Sequence, residues 1–128
     1  MNLLLDTHLL LWVAIDSDRL TPDTRALISN ENHRLWFSAA SIWEIGIKAG
    51  LGRKDFVVDP HVLKRGLVEN DYAELQISAA HALAAAQLPA IHRDPFDRML
   101  VAQATYEGFV LLTADRIVTQ YPGPIRPA

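Results

Sequence analysis

Cysteine is absent from the 128 residues, which excludes disulfide staples and thiolate metal sites. Long apolar runs are missing too: nothing approaches the roughly 18 uninterrupted residues that a membrane-spanning helix needs. The opening stretch MNLLLDTHLLLWVAI meets Asp6 and His8 too early for a secretory signal, so a cytoplasmic protein without membrane association is expected. Nor is there an excess of positive charge. Twelve Lys and Arg against fifteen Asp and Glu give a formal net charge of -3, which argues against a protein that coats nucleic acid without selectivity. A nuclease survives that argument, because acids gathered around metal ions leave the remaining surface mildly positive. The five histidines form no HExxH-type pair, so a zinc site of that kind is excluded.

What is present is a chain of single-domain length, residues 1–128, with half its positions hydrophobic. Asn2 to Leu5 is a short apolar run of the sort that is buried on both faces of a parallel sheet. Leu35 to Ser38, Tyr72 to Ile77 and Phe109 to Thr113 read as further strands, and the proline-rich end from Tyr121 to Pro127 as a short edge strand. Helices are predicted between them. They run from Thr7 to Ile15, from Thr21-Pro22 to Ser29, from Ser41 to Ala49, and from Asp59-Pro60 to Glu69. Three more follow: one capped by Ser78 and ending near Leu88, one from Pro95 to Glu107 stopped by Gly108, and a short one from Asp115 to Gln120. The segment from Gly50 to Val58 reads as an exposed loop. Apolar strands alternating with helices predict a three-layer α/β/α sandwich around a mostly parallel sheet. Sheets of that kind carry their sites at the carboxyl ends of the strands.

Four acids stand near those ends: Asp6 after the first strand, Glu44 in the helix after the second, Asp97 in the helix before the fourth, and Asp115 just after it. If they converge, their mutual repulsion demands a cation, and oxygen donors without sulfur suit Mg²⁺ or Mn²⁺. Two such ions could activate water and stabilise the oxygen departing from a phosphodiester. Each acid also has a purely structural reading. Asp6 and Asp115 could cap helices, and Ser41-Ile42-Trp43-Glu44 matches an S-x-x-E capping box with Lys48 available for an ion pair. In HRDPFDRML, Asp94 and Pro95 suffice to start a helix, which leaves Asp97 one turn in, beside the apolar stripe of Leu100, Val101 and Ala104.

Taken together, LLLDTHLLLW, SAASIWEIGIK, HRDPFDRMLVAQA and VLLTADR resemble the PIN domain, specifically the VapC-like toxins of bacterial type II toxin–antitoxin systems, over nearly the whole chain. The resemblance implies a Mg²⁺- or Mn²⁺-dependent endoribonuclease that dimerises and is inhibited by a cognate antitoxin whose tail fills the cleft. Asp6, Glu44, Asp97 and Asp115 would be its metal-binding and catalytic acids. Thr7, Ser38 and Thr113 lie next to the acids and could orient them, while Arg93, Arg98 and Arg116 could meet RNA phosphates. His8 and His92 could donate protons, a role that a metal makes less necessary. Trp12, on an apolar helix, is the expected dimer contact. Two other readings remain: a phosphatase of the haloacid dehalogenase type, which wants Asp where this chain has His8, and a non-catalytic binding module whose acids only cap helices.

Overall fold

All 128 residues are described by the computed structural model. The elements run β1 (Asn2–Leu5), α1 (Thr7–Ala14), α2 (Pro22–Ser29), β2 (Arg34–Ser38), α3 (Ala39–Gly50), α4 (Pro60–Glu69) and β3 (Ala73–Leu75). Then come α5 (Ala79–Ala86), α6 (Pro95–Glu107), β4 (Val110–Thr113), a 3₁₀ turn (Val118–Gln120) and β5 (Ile125–Pro127). Five parallel strands form one sheet in the order β3-β2-β1-β4-β5. The expected three-layer α/β/α arrangement is the one observed.

Alternation along the strands divides the core between the two faces. Leu3, Leu5 and Leu112 point to one side with Phe37, where Leu9, Leu10, Ile45, Leu63 and Leu67 of α1, α3 and α4 cover them. Leu4 and Leu111 point to the other, under Leu100, Val101 and Ala104 of α6. From β1 the chain winds outward through β2 to β3, then returns to lay β4 and β5 on β1's other side. The order therefore reverses between β1 and β4, and a crevice opens at their carboxyl ends. Asp6 and Thr113 stand at its floor, since Leu5 and Leu112 are register partners and are the residues immediately before them.

Helix entrances follow the sequence closely. Thr21, Asp59, Ser78 and Asp94 each accept a backbone N–H of the helix they begin, as the cap-and-proline signals require. Gly108 ends α6 in the left-handed conformation at φ 72°, which its missing Cβ permits. Two expectations fail. The helix expected from Ser41 starts earlier, and the structural alternative of an S-x-x-E capping box does not form: α3 begins at Ala39 with Ser38 as its cap, so Ser41 is an interior residue that accepts a hydrogen bond from the Thr7 hydroxyl at 3.0 Å. Starting the helix earlier converts Ser41 from a cap into a buried link between α1 and α3. The segment after α3 is not simply exposed, because Phe56 folds back into the core and is fully buried. Truncating it in Phe56→Ala is expected to cost about 3–5 kcal/mol in a urea titration; a loss under about 1 kcal/mol would return this segment to the surface. The remaining departures are small: β3 is shorter than its apolar run, and the helix predicted from Asp115 is only the 3₁₀ turn at Val118.

Candidate functional site

The crevice is built from the ends of β1 and β4 and from the sides of α3 and α6. Asp6 enters it as the cap of α1. Its Oδ1 accepts the Leu9 N–H at 2.8 Å, while Oδ2 accepts the Thr113 hydroxyl at 2.7 Å and the Ala114 N–H at 3.0 Å. Capping and site-building are thus combined in one carboxylate. These three donors favour the ionised form, yet burial opposes it more strongly and raises the Asp6 pKa above its ordinary value.

Glu44 projects from α3 and is 3% exposed. One oxygen, Oε2, is paired with the Lys48 ammonium one turn along; the other, Oε1, is buried without any hydrogen-bond partner. A buried carboxylate oxygen with nothing to accept is costly unless a ligand meets it. Across the crevice, Asp94 caps α6 through Oδ1, which accepts the N–H groups of Phe96 and Asp97, and its Oδ2 lies 3.9 Å from the Lys48 Nζ. Asp97, one turn into α6, caps nothing. Burial is the main reason its pKa rises to about 7, followed by the negative charges of Asp94, Glu44 and Asp6, with His92 opposing. That combination places Asp97 within the field of the other acids. Asp115 completes the set: its Oδ1 accepts the Ile117 N–H at 2.8 Å and its Oδ2 faces His92.

His92 was not among the four acids singled out from the sequence, and it stands between two of them. Its Nε2 is 3.2 Å from Asp97 Oδ2 and 3.2 Å from Asp115 Oδ2. These three donor atoms lie within 4.8 Å of one another, a spacing a metal could use. The ring as held is a hydrogen-bond donor rather than a ligand, because Nδ1 accepts the Asp94 N–H and the proton of a neutral imidazole must then sit on Nε2. The HRDPFD stretch contains this residue, but only the fold of the α5–α6 connection turns it back on Asp115.

The neighbouring residues divide. Thr113 bonds Asp6 directly, whereas Thr7 and Ser38 bond no acid: the Ser38 hydroxyl donates to Gln103 Oε1 at 2.6 Å and ties β2 to α6. Arg98 departs from its expected place. Its guanidinium donates to the carbonyls of Pro89, Ala85 and Leu88 and to the Tyr121 hydroxyl, so it clamps the α5–α6 connection and is not free for a phosphate. Arg93 and Arg116 are exposed beside Asp94 and Asp115. His8 is exposed, lies 3.8 Å from Asp55 and is near enough to Asp6 to act on it through space, and Trp12 packs on the core under Arg19.

Five carboxylates share this crevice with one lysine and one histidine, and the chain has no cysteine to offer a thiolate. Hard oxygen donors of this kind fit a small divalent ion, and the buried Glu44 Oε1 has no partner within the protein to compete for it. The sequence model of the PIN domain matches residues 3–124. The chain belongs to the PIN domain family. No curated protein matches it in sequence. Among solved structures, this PIN domain is similar to VapBC2 from Rickettsia felis bound to a DNA fragment from its promoter, with a TM-score of 0.71 and 13% identity over 99% of this chain and 98% of that one. It is also similar to DNA-bound VapBC from Salmonella typhimurium, with a TM-score of 0.68 and 17% identity over 99% and 98%. FitAB bound to an IR36 DNA fragment gives 0.65 and 16% over 98% and 94%. At these identities the likeness is one of fold.

The site's electrostatics make a thermodynamic prediction for metal-free protein. Asp97 titrates near 7 when folded and near its ordinary 3.8 when unfolded, so the folded chain holds the extra proton between those values. The stability tied to that proton is fully present below about pH 4 and is lost as pH rises through about 7, a change on the order of 4 kcal/mol. Urea midpoints measured in chelator should therefore fall from pH 5 to pH 8 in the wild type and much less in Asp97→Asn. Parallel profiles for the two proteins would show that Asp97 is not the group responsible.

Proposed function

We propose that the chain is a divalent-metal-dependent endoribonuclease and the toxin of a toxin–antitoxin pair, hydrolysing RNA phosphodiesters at the crevice between β1 and β4. The observation that carries this reading is the convergence of Glu44 and Asp97, which cap no helix, upon the buried Asp6. Capping explains Asp6, Asp94 and Asp115 in part, but it offers nothing for the other two. Membership of the PIN family and the VapBC likeness support the same reading and leave the phosphatase alternative without support.

Asp6, Glu44, Asp97 and Asp115 would hold Mg²⁺ or Mn²⁺, which when bound activates water and steadies the oxygen leaving phosphorus. The chain's own contribution is placement. Thr113 and the Ala114 N–H fix Asp6, and the start of α6 fixes Asp97 one turn from Asp94. Arg93 and Arg116 are free to meet backbone phosphates, which would locate RNA without reading its sequence.

A cognate antitoxin is the proposed partner, with a homodimer as the proposed assembly. Away from the acids, the end of α1, α2 and α4 enclose an apolar groove of about 560 Å³ lined by Val13, Ile28, Leu35, Val62 and Tyr72, an apolar seat suited to an antitoxin segment. Expressing the wild type beside Asp6→Asn and sequencing the 5′ ends of cellular RNA tests the activity. New ends at recurring positions in the wild type alone are expected; identical end profiles would overturn the proposal.

A further inference from the structure

We propose that Lys48 is the resident counter-ion of the acidic crevice, a positioning residue that occupies one oxygen of Glu44 in metal-free protein and thereby weakens the site's grip on a divalent cation. The inference rests on the reading of the crevice as a metal site.

Lys48 is not a lysine solvated on a helix face. Its side chain is only 18% exposed, although lysines are the residues most able to reach water. Three groups enclose its ammonium. Glu44 Oε2 is paired with it from the preceding turn of α3, and Asp94 Oδ2 lies 3.9 Å away at the start of α6. The fully buried Phe56 ring sits beneath it, 4.9 Å from Nζ to the ring centre. Phe56 belongs to the segment after α3 and is brought there by its own burial in the core. The fold therefore invests an aromatic residue in keeping this ammonium at the crevice.

The geometry also limits what the ammonium can satisfy. It meets Oε2 alone, and Oε1 of the same carboxylate remains buried and unpartnered. A divalent ion approaching Oε1 would meet a positive charge already bonded to the other oxygen of that group. Two cations on one buried carboxylate repel each other, which favours departure of the more mobile lysine. Asp94 is the acceptor within reach, and its Oδ1 is already committed to capping α6, which leaves Oδ2 to receive the ammonium. Lys48 would thus pass from Glu44 to Asp94 as the site fills, and the work of displacing it lowers the observed affinity.

The test is a calorimetric titration of Mn²⁺ alone into metal-free wild type, Lys48→Met and Asp97→Asn. Lys48→Met is expected to bind Mn²⁺ about tenfold or more tightly than wild type, to melt lower without metal, and to gain more in melting temperature when metal is added. Equal affinity would make Lys48 a bystander, and weaker affinity would make it a support for the ligand geometry; either result overturns the inference. If no protein binds Mn²⁺, the metal-site reading falls as well, whereas wild-type binding lost in Asp97→Asn but unaltered in Lys48→Met sinks the Lys48 inference alone. Should Lys48→Met fail to fold, the wild type answers by NMR. The Lys48 ammonium resonance, assigned by its disappearance in Lys48→Arg, should shift in step with Mg²⁺ saturation; a resonance unmoved at saturation overturns the proposal.

Discussion

Asp97→Asn should abolish metal-dependent RNA cleavage, by about a thousandfold or more, while making the metal-free protein more stable at pH 8. The two effects share one cause. Asp97 lies in a buried position among Asp94, Glu44 and Asp6, and those charges together with burial raise its pKa to about 7. At pH 8 it is ionised against that field. Replacing it with the isosteric amide removes the repulsion, for an expected gain of about 1–3 kcal/mol in the urea midpoint. The same change removes one of the proposed ligand oxygens from the cluster, and a thousandfold loss in rate corresponds to about 4 kcal/mol in the barrier. A residue kept at the expense of stability is one retained for what it binds. A structural Asp97 would give the opposite pattern, losing stability on substitution and leaving cleavage intact.

The second large effect is expected at a residue that the sequence suggests for a different task. Arg98→Ala should destabilise the protein by about 2–4 kcal/mol in the same assay, because three backbone carbonyls and the Tyr121 hydroxyl lose one planar, charged donor together. Lysine should restore little of this, since an ammonium cannot span acceptors arranged around a guanidinium fork. Arg93→Ala and Arg116→Ala, both at exposed positions, should leave the urea midpoint within about 0.5 kcal/mol of wild type and weaken RNA binding instead. An Arg98→Ala protein with normal stability and impaired RNA binding would reverse this assignment and return Arg98 to the substrate.

Much of this was legible in the residues themselves. Apolar runs bounded by cap-and-proline pairs located most elements, and the rule that parallel sheets present their sites at strand ends selected Asp6, Glu44, Asp97 and Asp115. HRDPFD divides its two aspartates as its spacing suggests: Asp94 caps and Asp97 faces inward. What escaped depends on contacts distant in sequence. Ser38 and Ser41 both precede Glu44 at spacings that suit a helix start, and only the partnership of Ser41 with Thr7 separates them. Phe56 follows Arg53-Lys54-Asp55 and opens a run of only three apolar residues in which Val57 is exposed, so no periodicity marks it as core; it is buried because α3 and α4 leave it a place. Arg98 looks like its neighbours until the Pro89 turn presents its carbonyls. His92 becomes part of the site through the loop that returns it to Asp115, and the sequence offers only its nearness to Asp94 as a signal.

The central claim is that the acids at the β1–β4 switch point hold a divalent ion. Anomalous X-ray scattering from crystals grown with Mn²⁺, at a concentration that supports cleavage, tests it most directly. A strong peak is expected within bonding distance of carboxylate oxygens of Asp6, Glu44 and Asp97, with Glu44 Oε1 no longer unpartnered. An ordered crevice without a peak, in which Lys48 still pairs with Glu44 and His92 still bridges Asp97 and Asp115, would contradict it.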